Sequence, residues 1–280
     1  MANVTVVGLG IIGSIWAKHY ADDGNTVHTW NRTPQPEFPG FKADLAQAVD
    51  GVEMVHICVA DPAAVQSVLD VILPKLNHSM LVIQSSTISP EAAGSFAGQV
   101  ESTGAVYLEA PFTGSKPAAE ARDLVFFQGG CAEAIRQADV FLEPLSRKRF
   151  AMGTPEQAAA IKLSMNLQIA AVSQALTEGY HLAKSFGLSH DQFYEVLAEN
   201  AACSGVAKLK EPKLKSSDYS PQFSIKHMRK DLGLALDAAE GISPQLTQRT
   251  KEIYDAGMDA GWGDEDFIAL EKLIPEVRCK

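Results

Sequence analysis

Residues 3–13 read NVTVVGLGIIG, and this stretch decides the fold of the first half of the chain. Its β-branched start predicts a buried strand, which passes directly into a Gly-x-Gly-x-x-Gly motif at Gly8, Gly10 and Gly13. A helical pattern follows, and residues 26–30 (TVHTW) predict a second strand. A strand, this glycine motif, a helix and a second strand within about 30 residues indicate a dinucleotide-binding unit.

Each glycine of the motif has its own expected task. The first permits a tight turn, the second lets the backbone approach a pyrophosphate, and the third lets the helix pack closely on the strand. The phosphates would lie at the helix N-terminus, where free N–H groups meet the positive end of the helix dipole. We therefore expect the cofactor to contact the whole loop: Gly8, Leu9, Gly10, Ile11, Ile12 and Gly13.

The residues after the second predicted strand decide between the two nicotinamide cofactors. A carboxylate there would bind the ribose hydroxyls of NAD and repel the 2′-phosphate of NADP. The chain reads WNRTP at residues 30–34 and has no carboxylate. Arg32 can form charge-assisted hydrogen bonds to a phosphate, and Asn31 and Thr33 add donors. The sequence therefore favours NADP(H), the alternative being that Arg32 stacks on adenine or faces water.

Strand and helix patterns alternate throughout the first domain, which we place at residues 1–153. Further strands are predicted at residues 54–59, 80–84, 106–109, 124–128 and around Phe150. Repeated βα units imply a mostly parallel sheet with helices on both faces, and such sheets bind ligands beyond the carboxyl ends of their strands. We expect cofactor contacts from residues at two strand ends: Val59, Ala60, Asp61, Ser86 and Thr87. The alternative is that Ser86 and Thr87 only form a turn.

A second unusual loop, EAPFTGSKP at residues 109–117, follows another predicted strand. The backbone N–H groups of Thr113, Gly114 and Ser115, with two hydroxyls, can hold a small carboxylate. The alternative is a plain loop.

Residues 154–186 predict one long helix of about 48 Å. Thr154 and Gln157 form a capping box, Pro155 falls at the first helical position, and Gly187 is the expected stop. The helix is apolar nearly all round, so burial on most sides is expected.

A polar stripe interrupts this apolar helix. Lys162 and Asn166 lie one turn apart, and Ser173 and Thr177 continue the stripe towards the C-terminus. A lysine and an asparagine one turn apart on a buried helix require an explanation. Ser173 and Thr177 lie too far along the helix to reach the same small substrate, and we interpret them as packing or interface residues.

The rest of the chain predicts an all-α domain at residues 154–280. Helical patterns cover residues 190–201, 224–240, 244–256 and 265–273, with breaks at Gly205, Pro212, Pro221 and residues 241–244. The predicted fold is therefore α/β, with an N-terminal Rossmann-type domain joined by the long helix to an all-α C-terminal domain. Such a small helical domain often buries its apolar face on a second copy, so a homodimer or homotetramer is expected.

Composition excludes several other classes of protein. The chain has 280 residues and a net charge of −10, and it lacks the clustered basic residues that nucleic-acid binding requires. Its tightest basic cluster, residues 147–149, is expected to be a solvated turn. No apolar run is long enough to span a membrane, and no signal peptide is recognisable. Four cysteines without a CxxC pair, and histidines without metal-ligand spacing, favour a reducing, cytoplasmic location and no metal.

Four motifs occur together and in a fixed order. They are the glycine loop at residues 8–13, APFTG at residues 110–114, Lys162-x-x-x-Asn166, and Lys230-Asp231. In this order they resemble the β-hydroxyacid dehydrogenase family, which includes 3-hydroxyisobutyrate and 6-phosphogluconate dehydrogenases. The resemblance covers nearly the whole chain. Residues 31–33 and 113–117 look most like the NADPH-linked glyoxylate/succinic semialdehyde reductase branch.

The resemblance implies a role for each matching residue. Lys162 matches the catalytic lysine, Asn166 the asparagine that orients the substrate and the lysine, and Lys230 a lysine near the nicotinamide. Thr113 and Gly114 match the family's substrate-carboxylate loop, and Thr87, Phe223 and Asp231 match positions that line the substrate site of the reductase branch. Thr113 departs from the usual serine and Ser115 from the glycine of the dehydrogenases, which bears on the choice of substrate.

The implied reaction is a reversible hydride transfer between NADPH and a small aldehyde or 2-oxo acid that bears a carboxylate. Lys162, as an ammonium, would donate the proton to the carbonyl oxygen, because an ordinary lysine with a pKa near about 10.4 is charged at neutral pH. The alternatives are an NAD(P)-dependent 3-hydroxy acid dehydrogenase, an imine reductase, which the lysine disfavours, and a catalytically silent cofactor-binding protein.

Overall fold

The computed structural model describes residues 1–274 and forms two compact units, one at residues 1–163 and the other from residue 164 onwards. The first unit contains an eight-stranded sheet. The described part of the second unit is helical. None of the helices among the described residues is long and apolar enough to cross a membrane.

The sheet of the first unit is mostly parallel, as predicted. Strands β2, β1, β3, β4 and β5 lie side by side in that order and run parallel. Strand β7 is antiparallel to β5 and to the short β6, and β8 runs parallel to β7. Their bounds are β1 Asn3–Val7, β2 Thr26–Trp30, β3 Met54–Ile57, β4 Leu81–Gln84, β5 Val106–Glu109, β6 Phe112–Thr113, β7 Leu124–Gly129 and β8 Ser146–Gly153.

Helices cover both faces of this sheet. They are α1 Ile11–Asp22, α2 Leu45–Ala48, α3 Pro62–Ile72, α4 Pro90–Glu101, α5 Lys116–Glu120 and α6 Ala132–Leu142, with short 3₁₀ helices at Leu73–Lys75 and Glu143–Leu145. Val82 and Ile83 are adjacent in β4 and belong to opposite hydrophobic clusters, as the alternation of a strand requires. Val82 packs in the cluster that includes Phe96 of α4, and Ile83 in the cluster that includes Trp16 of α1.

Helix α7, Pro155–Ser185, is continuous and has the predicted ends. The backbone N–H of Thr154 donates to Gln157 Oε1 at 2.9 Å, and the N–H of Gln157 donates to Thr154 Oγ1 at 3.4 Å. These two bonds form the capping box. At the other end the helix stops before Gly187, which has a φ of +82°.

The expectation that α7 is buried on most sides is wrong for its C-terminal part. Ser173 and Thr177 are buried, and their hydroxyls donate to the helix's own carbonyls at 2.8 and 3.0 Å. Leu182 is 64% exposed. It lies nine residues, or about two and a half turns, from Ser173 and therefore faces the opposite side. Burial follows one stripe of the helix.

The described part of the second unit adds four α-helices after α7, one of them over residues 205–216, where only the breaks Gly205 and Pro212 were predicted. They are α8 His190–Ala198, α9 Gly205–Ser216, α10 Ile225–Asp237 and α11 Gln245–Asp259, followed by a 3₁₀ helix at Phe267–Leu273. The last segment was predicted to be an α-helix. Pro212 was predicted as a break but lies inside α9. On either side of it, Lys210 Nζ lies 2.8 Å from Asp266 Oδ1 and Lys213 Nζ donates to the Ser220 carbonyl at 2.6 Å. These tertiary contacts hold the helix together across the proline.

The basic cluster at residues 147–149 lies on a strand, where a turn was expected. It belongs to β8, whose pairing among the described strands is with β7 alone. Arg149 Nε lies 2.8 Å from Asp139 Oδ1, whereas Arg147 and Lys148 are exposed.

Candidate active site

The glycine loop at residues 8–13 has the geometry that close approach of a phosphate requires. Gly8 has a φ of +104°, and a Cβ there would lie 2.2 Å from the Cys58 carbonyl oxygen. A Cβ at Gly13 would lie 1.9 Å from the Gly8 carbonyl oxygen. A Cβ at Gly10, by contrast, would meet nothing within 4 Å among the described residues. The loop is therefore tight on one side and open at the N-terminus of α1, which fits a dinucleotide pyrophosphate.

The loop after β2 is bound to this glycine loop through Leu9. The Leu9 N–H donates to Asn31 Oδ1 at 3.0 Å, and Gln35 Nε2 donates to the Leu9 carbonyl at 3.3 Å. Asn31 Nδ2 donates to the Thr33 carbonyl at 2.8 Å. The Asn31 carboxamide, expected as a donor to the cofactor, thus contributes to the shape of the loop. Arg32 beside it is exposed.

The ends of β3 and β4 are joined by a hydrogen bond. The Val59 N–H donates to the buried Ser86 Oγ at 2.8 Å. Asp61 accepts from the Ala64 N–H at 2.8 Å and thereby caps α3. Two residues predicted to contact the cofactor, Ser86 and Asp61, therefore also hold the loops in which they lie.

A buried carboxyl group supports the same loops. Glu109 accepts from the Tyr107 hydroxyl at 2.6 Å and from Gln84 Nε2 at 2.9 Å. Gln84 in turn accepts from the Ser86 N–H at 2.5 Å and donates to the Ser86 carbonyl at 3.0 Å. Burial raises the pKa of Glu109 to about 8, against the hydrogen bonds from Tyr107 and Gln84, which lower it. At neutral pH this group is therefore mostly uncharged.

The predicted carboxylate loop lies beside the predicted catalytic lysine. Phe112 and Thr113 form β6, which pairs with β7. Gly114 and Ser115 follow before α5 begins. Lys162 Nζ lies 5.8 Å from the centroid of the Phe112 ring. An ammonium near a ring face is a favourable cation–π arrangement, and an ammonium can donate a proton.

In the second unit, three predicted site residues lie together. Asn166 Nδ2 donates to Asp231 Oδ2 at 2.6 Å, and Lys230 Nζ lies 3.0 Å from Asp231 Oδ1. Asn166 and Asp231 are both buried. The carboxylate therefore fixes the orientation of the asparagine carboxamide on α7.

Phe223, the remaining predicted residue, is anchored by backbone and ring contacts. Its N–H donates to Asp266 Oδ2 at 3.2 Å, and its ring stacks on His227 with centroids 6.2 Å apart. Burial, together with nearby Lys230 and Lys226, lowers the pKa of His227. The stacked histidine is therefore biased towards its neutral form.

Comparison with known protein families gives matches along both halves of the chain. A model of the NAD binding domain of 6-phosphogluconate dehydrogenase matches residues 3–153. A second model, described as NAD-binding of NADP-dependent 3-hydroxyisobutyrate dehydrogenase, matches residues 157–274. The chain belongs to the β-hydroxyacid dehydrogenase family.

Individual relatives of this family match over nearly the full chain. The glyoxylate/succinic semialdehyde reductase 2, chloroplastic, of Arabidopsis thaliana is 30% identical, over 99% of this chain and 81% of the relative. A probable 3-hydroxyisobutyrate dehydrogenase of Mycobacterium bovis is 28% identical, over 96% and 97%. The structure of Mycobacterium tuberculosis 3-hydroxyisobutyrate dehydrogenase with L-serine is 26% identical, with a TM-score of 0.88 and coverage of 98% and 99%.

These findings confirm the resemblance and the fold predicted from the sequence. As a β-hydroxyacid dehydrogenase, the protein is an oxidoreductase with an NAD(P)-binding Rossmann-type domain and a helical C-terminal domain. The preference between the two cofactors and the roles of individual residues stay predictions.

Several buried polar residues of this β-hydroxyacid dehydrogenase were not predicted from its sequence. Gln84, Glu109 and Asp266 were not singled out, nor was His56 in the middle of β3. Their only signal was a polar side chain at a position that the strand or helix pattern predicted to be buried.

Proposed function

We propose that this protein is an NADPH-dependent reductase of small aldehydes or 2-oxo acids that bear a carboxylate, such as glyoxylate or succinic semialdehyde. Family membership supports the reaction type, and the name of the Arabidopsis relative supports the substrate class. The product would be the corresponding hydroxy acid.

One observation carries the proposal, namely the position of Lys162 over Phe112. The lysine Nζ lies 5.8 Å from a ring that immediately precedes Thr113, Gly114 and Ser115. A short substrate whose carboxylate is held by this loop would extend its carbonyl group towards the ammonium. A proton donor next to a carboxylate-binding loop suits reduction of a short oxo acid.

The residues of the glycine loop fit the cofactor. The cofactor and the protein then supply different parts of the reaction. When bound, the reduced nicotinamide supplies a hydride to the carbonyl carbon. As negative charge grows on the carbonyl oxygen, the Lys162 ammonium stabilises it and transfers one proton to it. Lys162 then regains a proton from water. In the oxidative direction the neutral amine would accept the proton.

Residues of the second unit are proposed to orient these groups. The resemblance assigns Asn166 to the substrate and the lysine, and Lys230 to the neighbourhood of the nicotinamide. The 2.6 Å hydrogen bond from Asn166 to Asp231 supports a fixed carboxamide. Phe223 is proposed to line the substrate site together with Thr87.

The lysine assignment is tested by Lys162→Ala. Turnover should fall at least about 10²-fold, because a positioned general acid contributes that much, while NADPH affinity stays nearly unchanged. Lys75, an exposed lysine of the same unit, supplies the control variant Lys75→Ala. Unaltered turnover in Lys162→Ala would remove the lysine from the mechanism.

The cofactor preference is tested at Arg32. No carboxylate follows β2, and Arg32 is exposed where the 2′-phosphate of NADP would lie in this fold. Arg32→Ala should raise the KM for NADPH and leave the KM for NADH unaltered. Equal effects on both would show that Arg32 does not contact the phosphate.

The substrate is best identified by an NADPH-oxidation screen. Glyoxylate, succinic semialdehyde, tartronate semialdehyde and methylmalonate semialdehyde differ in length and branching but share a carboxylate. We expect the highest kcat/KM with one of the first two. No turnover of any of the four, in a preparation that binds NADPH, would favour a silent cofactor-binding protein.

A second candidate function is an NAD(P)-dependent 3-hydroxy acid dehydrogenase that works mainly in oxidation. The match of residues 157–274 to the 3-hydroxyisobutyrate dehydrogenase model favours it. Assays in both directions, with 3-hydroxyisobutyrate and NADP⁺ or NAD⁺ against aldehyde and NADPH, separate the two. The carboxylate and lysine roles are the same in both.

We also propose that the protein assembles as a homodimer or homotetramer. Leu182 at the end of α7 and Phe186 just beyond it are 64% and 81% exposed. Large apolar side chains exposed close together suit an interface with a second copy. Light scattering would give the mass, and a monomer would contradict the proposal.

A further inference from the structure

A row of buried polar groups connects helix α1 to the first residue of the APFTG loop. The Tyr20 hydroxyl lies 2.9 Å from His56 Nδ1, and His56 Nε2 lies 2.9 Å from Ser85 Oγ. The Ser85 hydroxyl donates to the Ala110 carbonyl at 2.7 Å. All four residues are buried. The row crosses three neighbouring strand ends and reaches the loop that is proposed to hold the substrate carboxylate.

Only one arrangement of protons satisfies every contact in this row. The Ala110 carbonyl can only accept, so the single hydroxyl proton of Ser85 points to it. Ser85 must then accept from Nε2–H of His56, and Nδ1 must accept from the Tyr20 hydroxyl. Burial lowers the pKa of His56 to about 3, so the imidazole stays neutral in this one tautomer.

The same imidazole also reaches the loop through aromatic contacts. Trp16 stacks on His56 with centroids 4.3 Å apart and an interplanar angle of 13°. The edge of Trp16 meets Phe112 at 5.0 Å and 69°. Phe112 is the ring near Lys162 Nζ. His56 therefore acts on the loop at two points, the Ala110 carbonyl and the Phe112 ring.

We propose that His56 is a positioning residue for the reaction, which fixes the loop at residues 110–115 so that Thr113–Ser115 and Lys162 keep their relative placement. This inference rests on the proposed function, because it takes that loop to be the carboxylate site. A neutral imidazole suits the task because it donates, accepts and stacks at the same time, which neither a phenyl ring nor a carboxamide can do.

Two variants break the row on the side of the loop. Ser85→Ala removes the bonds to His56 and to Ala110 with little change in volume, and His56→Phe keeps a ring for Trp16 while removing both polar contacts of the imidazole. Each should raise the KM for the aldehyde about tenfold, the effect of roughly one lost buried hydrogen bond, while the NADPH dissociation constant changes less than about twofold.

The matched control breaks the row on the side away from the loop. Tyr20→Phe removes the bond to Nδ1 and leaves Nε2–H, Ser85 and Ala110 in place. It should lower the melting temperature about as much as Ser85→Ala but leave the aldehyde KM unchanged. An equal rise in the aldehyde KM in Tyr20→Phe and Ser85→Ala would show that the row has only a structural role, and would overturn the proposal. If His56→Phe fails to fold, Ser85→Ala against Tyr20→Phe still decides.

Two measurements do not depend on turnover. Imidazole ¹⁵N NMR of the wild-type protein should show His56 as the Nε2–H tautomer and unchanged between pH 5 and 9, and a titrating imidazole would overturn the proposal. Calorimetry with succinate, an unreactive carboxylate, should show weaker binding in Ser85→Ala than in Tyr20→Phe, and equal binding would count against it. If the wild-type protein turns over no aldehyde, the proposed function is wrong. The NMR and calorimetry results still show whether His56 positions the loop.

Discussion

Each unit buries a set of ionisable side chains, and the two sets are built in different ways. In the first unit, the side-chain contacts described above join His56 and Glu109 to neutral partners only, such as Ser85 and Gln84. In the second unit, Lys210 Nζ lies 2.8 Å from Asp266 Oδ1, with both side chains at most 1% exposed. One set is an uncharged hydrogen-bond network and the other is a buried ion pair.

The difference teaches how each unit fixes its loops. Burial lowers the pKa of His56 to about 3 and raises that of Glu109 to about 8, so both are mainly neutral at pH 7. Neutral groups cost little desolvation and can define the direction of each bond. The ion pair pulls together segments distant in sequence, but the loss of either partner leaves a charge buried without its counterpart.

The largest expected effect comes from breaking the ion pair. Lys210→Met keeps the length of the side chain but leaves Asp266 charged and buried, so the free energy of unfolding should fall by about 3–5 kcal/mol. Urea denaturation followed by circular dichroism measures it. A loss below about 1 kcal/mol, the range of an exposed ion pair, would contradict the ion-pair interpretation.

The next effect separates the neutral network from the ion pair by its pH dependence. Native Glu109 keeps its proton up to about pH 8, whereas an ordinary glutamate loses it near 4.5. Between these values the unfolded chain releases a proton that the native chain holds, so stability falls as the pH rises, by about 1.4 kcal/mol per pH unit, and levels off above pH 8. Glu109→Gln should abolish this slope in urea titrations at pH 5 to 9. A slope equal to that of the wild type would mean that a group other than Glu109 causes the pH dependence of stability.

A smaller effect is expected at the partner of Glu109. Tyr107→Phe removes one buried hydrogen bond and should cost about 1–3 kcal/mol. Because that bond lowers the pKa of Glu109, its loss should also move the levelling of the pH–stability curve to higher pH. The same urea series gives both quantities, and a shift to lower pH would be inconsistent with a bond donated by Tyr107.

The smallest effect should be at an exposed ion pair on the same helix as Lys210. Lys215 Nζ lies 2.6 Å from Asp191 Oδ1, but the side chains are 57% and 75% exposed. Solvent screens such a pair, so Lys215→Met should be indistinguishable from the wild type in urea denaturation. A loss comparable to that of Lys210→Met would mean that burial does not distinguish the two lysines.

Local signals allowed much of the fold to be predicted. The glycine motif at residues 8–13, the capping box of Thr154 and Gln157, and the short β-branched strands depend on neighbours a few residues apart. The structure has these elements nearly as predicted. The break predicted at Pro212 is wrong because the contacts of its neighbours, Lys210 with distant Asp266 and Lys213 with Ser220, override the local rule.

The residues of the candidate site also fall into two groups, those that a local sequence signal predicted and those that only the fold brings together. Lys162 and Asn166 were recognised because their spacing forms a motif, and Arg32 because it stands where a carboxylate is diagnostic. The hydrogen-bond network of the first unit could not be predicted, since His56 bonds to groups 36 and 29 positions away and Gln84 to one 25 positions away. The register of the strands and the packing of α1 on the sheet bring these side chains together.

The exposed edge of strand β8 bears on whether copies of this chain aggregate. Its outer edge is not paired within the described sheet, and Phe150 on it is 42% exposed. An exposed edge with an apolar residue is a template on which another strand can add, and so begin an aggregate. Two exposed basic side chains lie on that edge, Lys148 and Arg147, the latter with its Nε 3.5 Å from Asp123 Oδ1. If the β8 edges of two folded copies met, the basic side chains of one copy would lie against those of the other. The resulting repulsion disfavours edge-to-edge aggregation of the folded protein.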